Sequence, residues 1–198
     1  MAHKNIVVLI SGKQGCGKTT LATALANWAL NDKVFWVYVL KFADALYEIH
    51  NAIFSILEAQ GEPRPTKTDG TLLQLLGTEW GRKTLGQDIW VRILKRKVAK
   101  VVEFVKWPKH KLIIIDDARF ANEIDCFKGD EKLTVIKLRL ECNEGMRKAR
   151  AEKWRDNVGH ASETGLDNYN GFDNIIYTDT HNVSDTFELA KKLIEAKL

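Results

Sequence analysis

The chain has 198 residues, 45% of them hydrophobic and 28% charged, with a net charge of +4. That is the balance of a globular domain with a sizeable core, and so mild a positive charge favours anionic ligands without arguing for nucleic acid. Three widely spaced cysteines, Cys16, Cys126 and Cys142, form no disulfide or metal pattern and suit a reducing cytosol, and the short apolar run before the first glycines excludes a secretory signal or a membrane span there.

In chain order, residues 6–10 are five apolar, mostly β-branched residues and predict a strand buried on both faces. Next comes Gly12-Lys13-Gln14-Gly15-Cys16-Gly17-Lys18-Thr19, which fits G-x-x-x-x-G-K-[ST]. In such a loop the glycines let successive N–H groups face an anion, and the following helix adds its positive dipole end. Lys18 then reaches the terminal phosphates and the Thr19 hydroxyl ligates Mg²⁺. A helix is predicted over 19–30 and a second strand over 34–40, ending at Lys41-Phe42-Ala43-Asp44. Helical patterns follow over 44–60, 71–85 and 89–107, the first two separated by a Pro-containing loop at 61–66.

Within the helix predicted over 71–85, the segment 72–82 is odd for a plain core helix: Arg82 follows an apolar stripe, and Trp80 and Trp90 flank it. A planar base wants aromatic faces and a phosphate monoester wants an arginine fork, whereas a plain packed helix would leave Arg82 as a solvated charge; the residues alone leave both open. The basic stretch 92–111 places its apolar residues inward and reads as a solvated outer face rather than a nucleic-acid patch. The strand at 112–115 ends in Asp116 and Asp117, a Walker B pattern able to hold Mg²⁺ opposite Thr19. Further strands are predicted at 133–140 and 174–177, and a last helix at 185–196 with Ser184 as its N-cap. Between those last strands, residues 143–172 are polar and irregular, and a loop of that length suggests a lid carrying Arg147, Arg150 and Arg155; a solvated helical face is the competing reading. Strands alternating with helices imply an α/β fold with a parallel sheet, whose ligands sit at the carboxyl ends of the strands. The five histidines are scattered and suggest no metal cluster.

Beyond the phosphate loop, the stretches Lys41–Leu46, "LLGTEWGRKTLGQDIW" (75–90), "DARFANE" (117–123) and "HASETGLD" (160–167) resemble the deoxynucleoside monophosphate kinases of bacteriophages across nearly the whole chain. The resemblance implies a P-loop nucleoside-monophosphate-kinase-like fold: a five-stranded parallel sheet flanked by helices, in one domain over 1–198, with acceptor-binding helices about 42–107 and a lid insertion about 143–165. It implies transfer of the ATP γ-phosphoryl group to a dNMP, with ATP and Mg²⁺ as cofactors, in the cytoplasm, or the host cytoplasm if phage-encoded. The implied partner is the dNMP, not nucleic acid or membrane, and a homodimer is left open. Carried onto this chain, Lys18, Arg82, Arg119, Arg147 and Arg150 are the catalytic candidates. Gly12, Gly15, Cys16, Gly17, Lys18, Thr19, Thr20, Asp179, Asn182 and Val183 would bind ATP. Lys41, Phe42, Asp44, Arg82, Asp88, Trp90 and Arg119 would bind the acceptor, and Thr19, Asp116 and Asp117 the metal. Ala121 stands where the family often has proline. The rival readings are another small-molecule P-loop kinase and a nucleic-acid-binding P-loop ATPase module.

Overall fold

The computed structural model describes residues 3–65, 69–104, 109–150, 154 and 159–198. Five strands, β1 (Asn5–Gly12), β2 (Phe35–Leu40), β3 (His110–Ala118), β4 (Thr134–Glu141) and β5 (Asn174–Tyr177), form one sheet in the order β2-β3-β1-β4-β5. Every pairing is parallel. β1 and β3 are buried along nearly their whole length because both faces are covered, which is why they read as unbroken apolar runs. On one face Ile6, Val8, Ile10, Leu112 and Ile114 pack against α1 (Lys18–Asn31) and α8 (Val183–Glu195). On the other, Val7, Leu9, Ile113 and Ile115 pack against Trp90, Leu94 and Val98 of α4 (Ile89–Phe104) and Ile124 of α5 (Ala121–Ile124).

The carboxyl end of β3 carries an irregularity that matters for the site. Between the pairs Leu9↔Ile115 and Ser11↔Ala118, β3 advances by one residue more than β1. A bulge of this kind re-aims side chains at a strand end. Here it falls on Asp116 and Asp117, and strand alternation sends the two carboxylates to opposite faces.

The structure corrects several boundaries. The helix expected over 71–85 is α3 (Gly70–Gln74), N-capped by Asp69, running into a π-helical stretch at Leu75–Leu85. Such wide turns are uncommon and concentrate at functional sites. α4 ends at Phe104, and residues 105–107 of the expected helix lie outside the described residues. The basic face expected to run to Lys111 stops short, because His110 and Lys111 open β3 and Lys111 is buried. Asn182, not Ser184, caps α8, its side chain accepting from the Asp185 N–H at 2.9 Å. Of the region expected to form a lid, the described parts are α6 (Glu144–Arg150), Trp154 and residues 159–165 with α7 (Ala161–Thr164); Arg155 lies outside them. α2 (Asp44–Ala59) matches its expected span closely. Among the described residues no helix is long and apolar enough to cross a membrane.

Candidate active site

The phosphate loop leaves β1 and enters α1 with Gly12, Gly15 and Gly17 all at positive φ. A Cβ on Gly15 would stand 2.6 Å from the carbonyl oxygen of Arg147, so the loop and α6 are packed backbone to backbone there. The N-cap of α1 is Gly17, which offers no side-chain cap, and the first-turn N–H groups are left for an anion. Lys18 Nζ donates to the carbonyl oxygens of Gly12 (2.7 Å) and Lys13 (2.9 Å). Burial lowers its pKa to about 7, helped by the nearby Arg119 guanidinium and opposed by Glu163 and Asp116.

The two aspartates at the end of β3 do different jobs. The Thr19 hydroxyl donates to Asp116 Oδ2 at 2.9 Å, and Lys41 Nζ lies 3.1 Å from Asp116 Oδ1. Oδ1 is buried with the Lys41 ammonium as its ion-pair partner, and since each carboxylate oxygen has more than one lone pair, the carboxylate keeps acceptor capacity beside Thr19. That donor set, one hydroxyl and one carboxylate at the phosphate loop, fits a hard, water-retaining cation such as Mg²⁺. Asp117 instead accepts from the N–H groups of Phe42 and Ala43, both at 3.0 Å, and pins the chain leaving β2. Burial raises its pKa to about 6 against the pull of those two N–H donors. The pair named together as metal candidates therefore separates, with Asp116 on the side of Thr19.

A cavity of about 490 Å³ opens beside Asp117. Its apolar walls include Phe42, Leu46, Trp90 and Phe120, and its polar ones Arg82, Arg119, Gln74 and Thr78. Arg82 is buried, which removes the solvated-charge reading. Its Nη2 donates to Glu123 Oε1 at 2.5 Å, its Nη1 to the Gln87 carbonyl at 3.0 Å, and its guanidinium lies 4.1 Å from the Phe120 ring centroid. Burial raises Glu123 to about 7, opposed by the Arg119 N–H and by Arg82 itself. Trp90 is buried and donates through Nε1 to the Gly77 carbonyl at 2.9 Å, whereas Trp80 is exposed and stands apart from the cavity. Lys41, Asp44 and Asp88 do not line it either: Asp44 accepts from the Lys41 N–H, and Asp88 from the Asn122 amide.

On the other side of the loop a cavity of about 310 Å³ is lined by Cys16, Gly17, Thr20, Arg150, Asn182 and Val183, among others. Arg150 is thus placed at this second cavity rather than over the loop, donating to the Thr178 carbonyl at 2.8 Å. Asp179 is tied to the Asn143 N–H and amide and does not line it. Arg147 is buried, donates to the Gln14 carbonyl at 3.3 Å and stacks near Trp154, so its helix is not a freely solvated face.

Three groups escaped the sequence reading. Glu123 and Glu163 are buried carboxylates that hold Arg82 and Arg119. Arg139 is buried under the loop, donating to Ser11 Oγ at 3.2 Å and Glu141 at 2.6 Å. The only available hints were that Glu123 and Glu163 fall inside the segments "DARFANE" and "HASETGLD", and that Arg139 interrupts an apolar strand.

Residues 2–146 match a family model described as an AAA domain. The chain superposes on TT1252 from Thermus thermophilus with a TM-score of 0.55 at 20% identity, over 100% of this chain and 99% of that one. It superposes on the Mycobacterium tuberculosis APS kinase CysC, solved with AMPPNP and APS, with a TM-score of 0.54 at 13% identity over 98% and 99% of the two chains. For the thymidylate kinase of Candida albicans the TM-score is 0.51 at 13% identity, over 100% of this chain and 94% of that one. At these identities the likeness shows the fold, and it is the fold of P-loop kinases. No curated protein matches the chain.

Proposed function

The chain belongs to the AAA-domain family, and on that premise we propose that it is a nucleotide kinase transferring the γ-phosphoryl group of ATP·Mg²⁺ to a deoxynucleoside monophosphate, giving ADP and a dNDP. One observation carries the reading: at the carboxyl ends of a parallel sheet one cavity is lined by Cys16 and Gly17 of the phosphate loop, and a larger one is linked to that loop by Arg119, which lines it and lies 3.4 Å from the Gly12 carbonyl. The smaller cavity, beside Cys16, Thr20, Asn182 and Val183, takes the ATP base. The larger takes the acceptor, with its base against Phe42 and Trp90 and its phosphate toward Arg82 and Arg119. The family resemblance of the 75–90 and 117–123 segments supports a dNMP as that acceptor, because these segments supply Arg82, Trp90, Asp117 and Arg119 to one cavity.

Little covalent chemistry is asked of the protein. An acceptor phosphate oxygen is already a nucleophile, so no general base is required, and catalysis is alignment plus neutralisation of charge. Lys18 exchanges its two carbonyl partners for phosphate oxygens. Thr19 and Asp116 would hold the Mg²⁺, which would supply neutralisation of phosphate charge. Arg82 grips the acceptor phosphate with the nitrogen edge left beside Glu123 and Gln87. The whole chain acts as one kinase unit, with the helices from α2 to α4 forming the acceptor side. Another small-molecule acceptor is the alternative. ADP release from ATP·Mg²⁺ measured against a panel of dNMPs and NMPs tests the reading, which expects stimulation by at least one dNMP and fails if none stimulates turnover.

A further inference from the structure

Two buried glutamates lie behind two arginines of the same cavity, and only one of those arginines also touches the phosphate loop. Arg119 Nη1 donates to Glu163 Oε1 at 2.6 Å and lies 3.4 Å from the carbonyl oxygens of Gly12 and Ser162. The Gly12 carbonyl is the one that also accepts from Lys18 Nζ. Lys18 and Arg119 therefore converge on one oxygen of the phosphate loop, a place where a bound anion favours charge on both. The other oxygen of the same carboxylate, Glu163 Oε2, accepts the backbone N–H of Gln14 at 2.9 Å. Glu163 is itself buried, so it is held on both oxygens between the loop and the arginine.

The backbone around Glu163 is built onto Arg119 as well. A Cβ on Gly165 would stand 3.0 Å from the Arg119 carbonyl oxygen and 3.2 Å from the Phe120 ring. Four residues after Glu163, Asp167 pairs with Lys13 at 2.8 Å, so consecutive loop residues Lys13 and Gln14 are each tied to a carboxylate of one short segment. From these contacts we infer that Glu163 is a positioning residue for the phosphoryl transfer proposed above: it sets the guanidinium of Arg119 at the boundary between the phosphate loop and the acceptor cavity. The inference rests on that functional reading. Without Glu163, Arg119 has a half-exposed, flexible side chain with only carbonyl partners, and the group meant to meet the transferring phosphoryl is aimed by nothing charged.

The test uses E163Q, E163D, R119Q and the double variant E163Q/R119Q in the full chain. The glutamine oxygen still accepts from Gln14, so E163Q is expected to fold, and a thermal melt checks this. With the best dNMP acceptor, E163Q should lower kcat about 10- to 100-fold while both KM values move less than about 3-fold. E163D should recover part of the loss, and the double variant should be no slower than R119Q alone. Arginine side-chain NMR on the protein without acceptor should show restricted guanidinium rotation at Arg119 in the wild type, fast rotation in E163Q and intermediate behaviour in E163D. If no dNMP is phosphorylated by the wild type, the functional reading falls and the NMR still decides whether Glu163 orients Arg119. Unchanged rotation in E163Q overturns the inference. So does an unchanged kcat, losses that multiply in the double variant, or tighter ATP binding with kcat retained, which would make Glu163 a plug of the loop instead.

Discussion

Replacing Gly81 with alanine is the sharpest probe of how the acceptor cavity is built, because Gly77 in the same π-helical stretch is its internal control. Neither glycine has a positive φ, so each substitution gains about 0.4–1 kcal/mol from reduced freedom of the unfolded chain. The two then part company. At Gly81 the new methyl would stand 2.5 Å from Trp90 Cζ2 and 2.7 Å from the Leu76 carbonyl oxygen. Trp90 cannot step aside: it is buried, packed in the core beneath the sheet, and hydrogen-bonded to the Gly77 carbonyl. Overpacking of this sort costs about 1–3 kcal/mol, and losing the indole bond adds about 1 kcal/mol. Gly81→Ala should therefore be less stable by about 1–3.6 kcal/mol after the gain is subtracted. At Gly77 the nearest atom is the Leu46 Cδ2 methyl at 3.1 Å, the far end of a side chain that can rotate. Gly77→Ala should stay within about 1 kcal/mol of the wild type. Urea unfolding gives both numbers, and dNMP kinetics should show a raised acceptor KM for Gly81→Ala with ATP binding unchanged. Equal stabilities for the two variants would refute the close packing of Trp90 on the π-helical turn.

Other outcomes follow from the same geometry. Lys18→Ala should fold and lose at least about 100-fold in phosphoryl transfer, checked by steady-state turnover beside a circular dichroism spectrum. Because burial lowers Lys18 to about 7 in the empty protein, ATP phosphates should draw a proton onto it. Calorimetry at pH 8 in buffers of different ionisation enthalpy should detect uptake of about one proton, and zero uptake would contradict the buried, neutral-leaning lysine. In stability, the unfolded chain binds the extra proton on Lys18 between about 7 and its ordinary 10.5, so this contribution grows as pH rises through that window. Glu123 has the opposite sign: raised from 4.5 to about 7, its contribution is present in acid and is lost as pH rises through about 7; Glu123→Gln should flatten that limb of a pH–stability curve. Arg82→Lys keeps a charge but not the fork shared by Glu123 and Gln87, and should cost the dNMP kcat/KM about 2 kcal/mol, roughly 30-fold, with the ATP KM little changed. Unchanged acceptor kinetics would leave Arg82 as a purely internal partner of Glu123.

The parts of the fold legible from sequence were those fixed by local pattern. β1 and β3 announced themselves because strands covered on both faces must be apolar throughout, and the phosphate loop because its glycines and lysine have fixed spacing. The π-helical turn was invisible, since Leu72, Leu75 and Leu76 satisfy an ordinary helical period and nothing in the residues reveals the wider winding. The start of β3 at His110 was missed because the basic pattern runs on through Lys111. At the site, Lys18, Thr19, Arg82, Arg119 and Trp90 could be picked out, since each sits inside a recognisable segment. Their controllers could not. Glu123 meets Arg82 from 41 positions away, Glu163 meets Arg119 from 44, and Arg139 meets Ser11 from 128. The first two pairings are set by how the segments after β2, β3 and β4 fold over one another, and the third by the parallel register that puts Ser11 of β1 opposite Arg139 of β4; none follows from a local periodicity. The division of labour between Asp116 and Asp117 was likewise hidden: strand alternation separates the two carboxylates, but which face carries Thr19 and which the Phe42 and Ala43 N–H groups is set by the tertiary fold.

In the proposed reaction the γ-phosphoryl group passes from the loop held by Lys18 to a nucleotide in the cavity of Arg82 and Arg119. Its most direct test follows the phosphorus itself: ATP labelled in the γ position is incubated with the protein, Mg²⁺ and each dNMP in turn, and the products are separated. For at least one dNMP the label should appear as the β-phosphate of the dNDP in step with ADP formation, with little as inorganic phosphate. Label recovered as inorganic phosphate, or carried by no dNMP while ADP still forms, would contradict the proposed reaction.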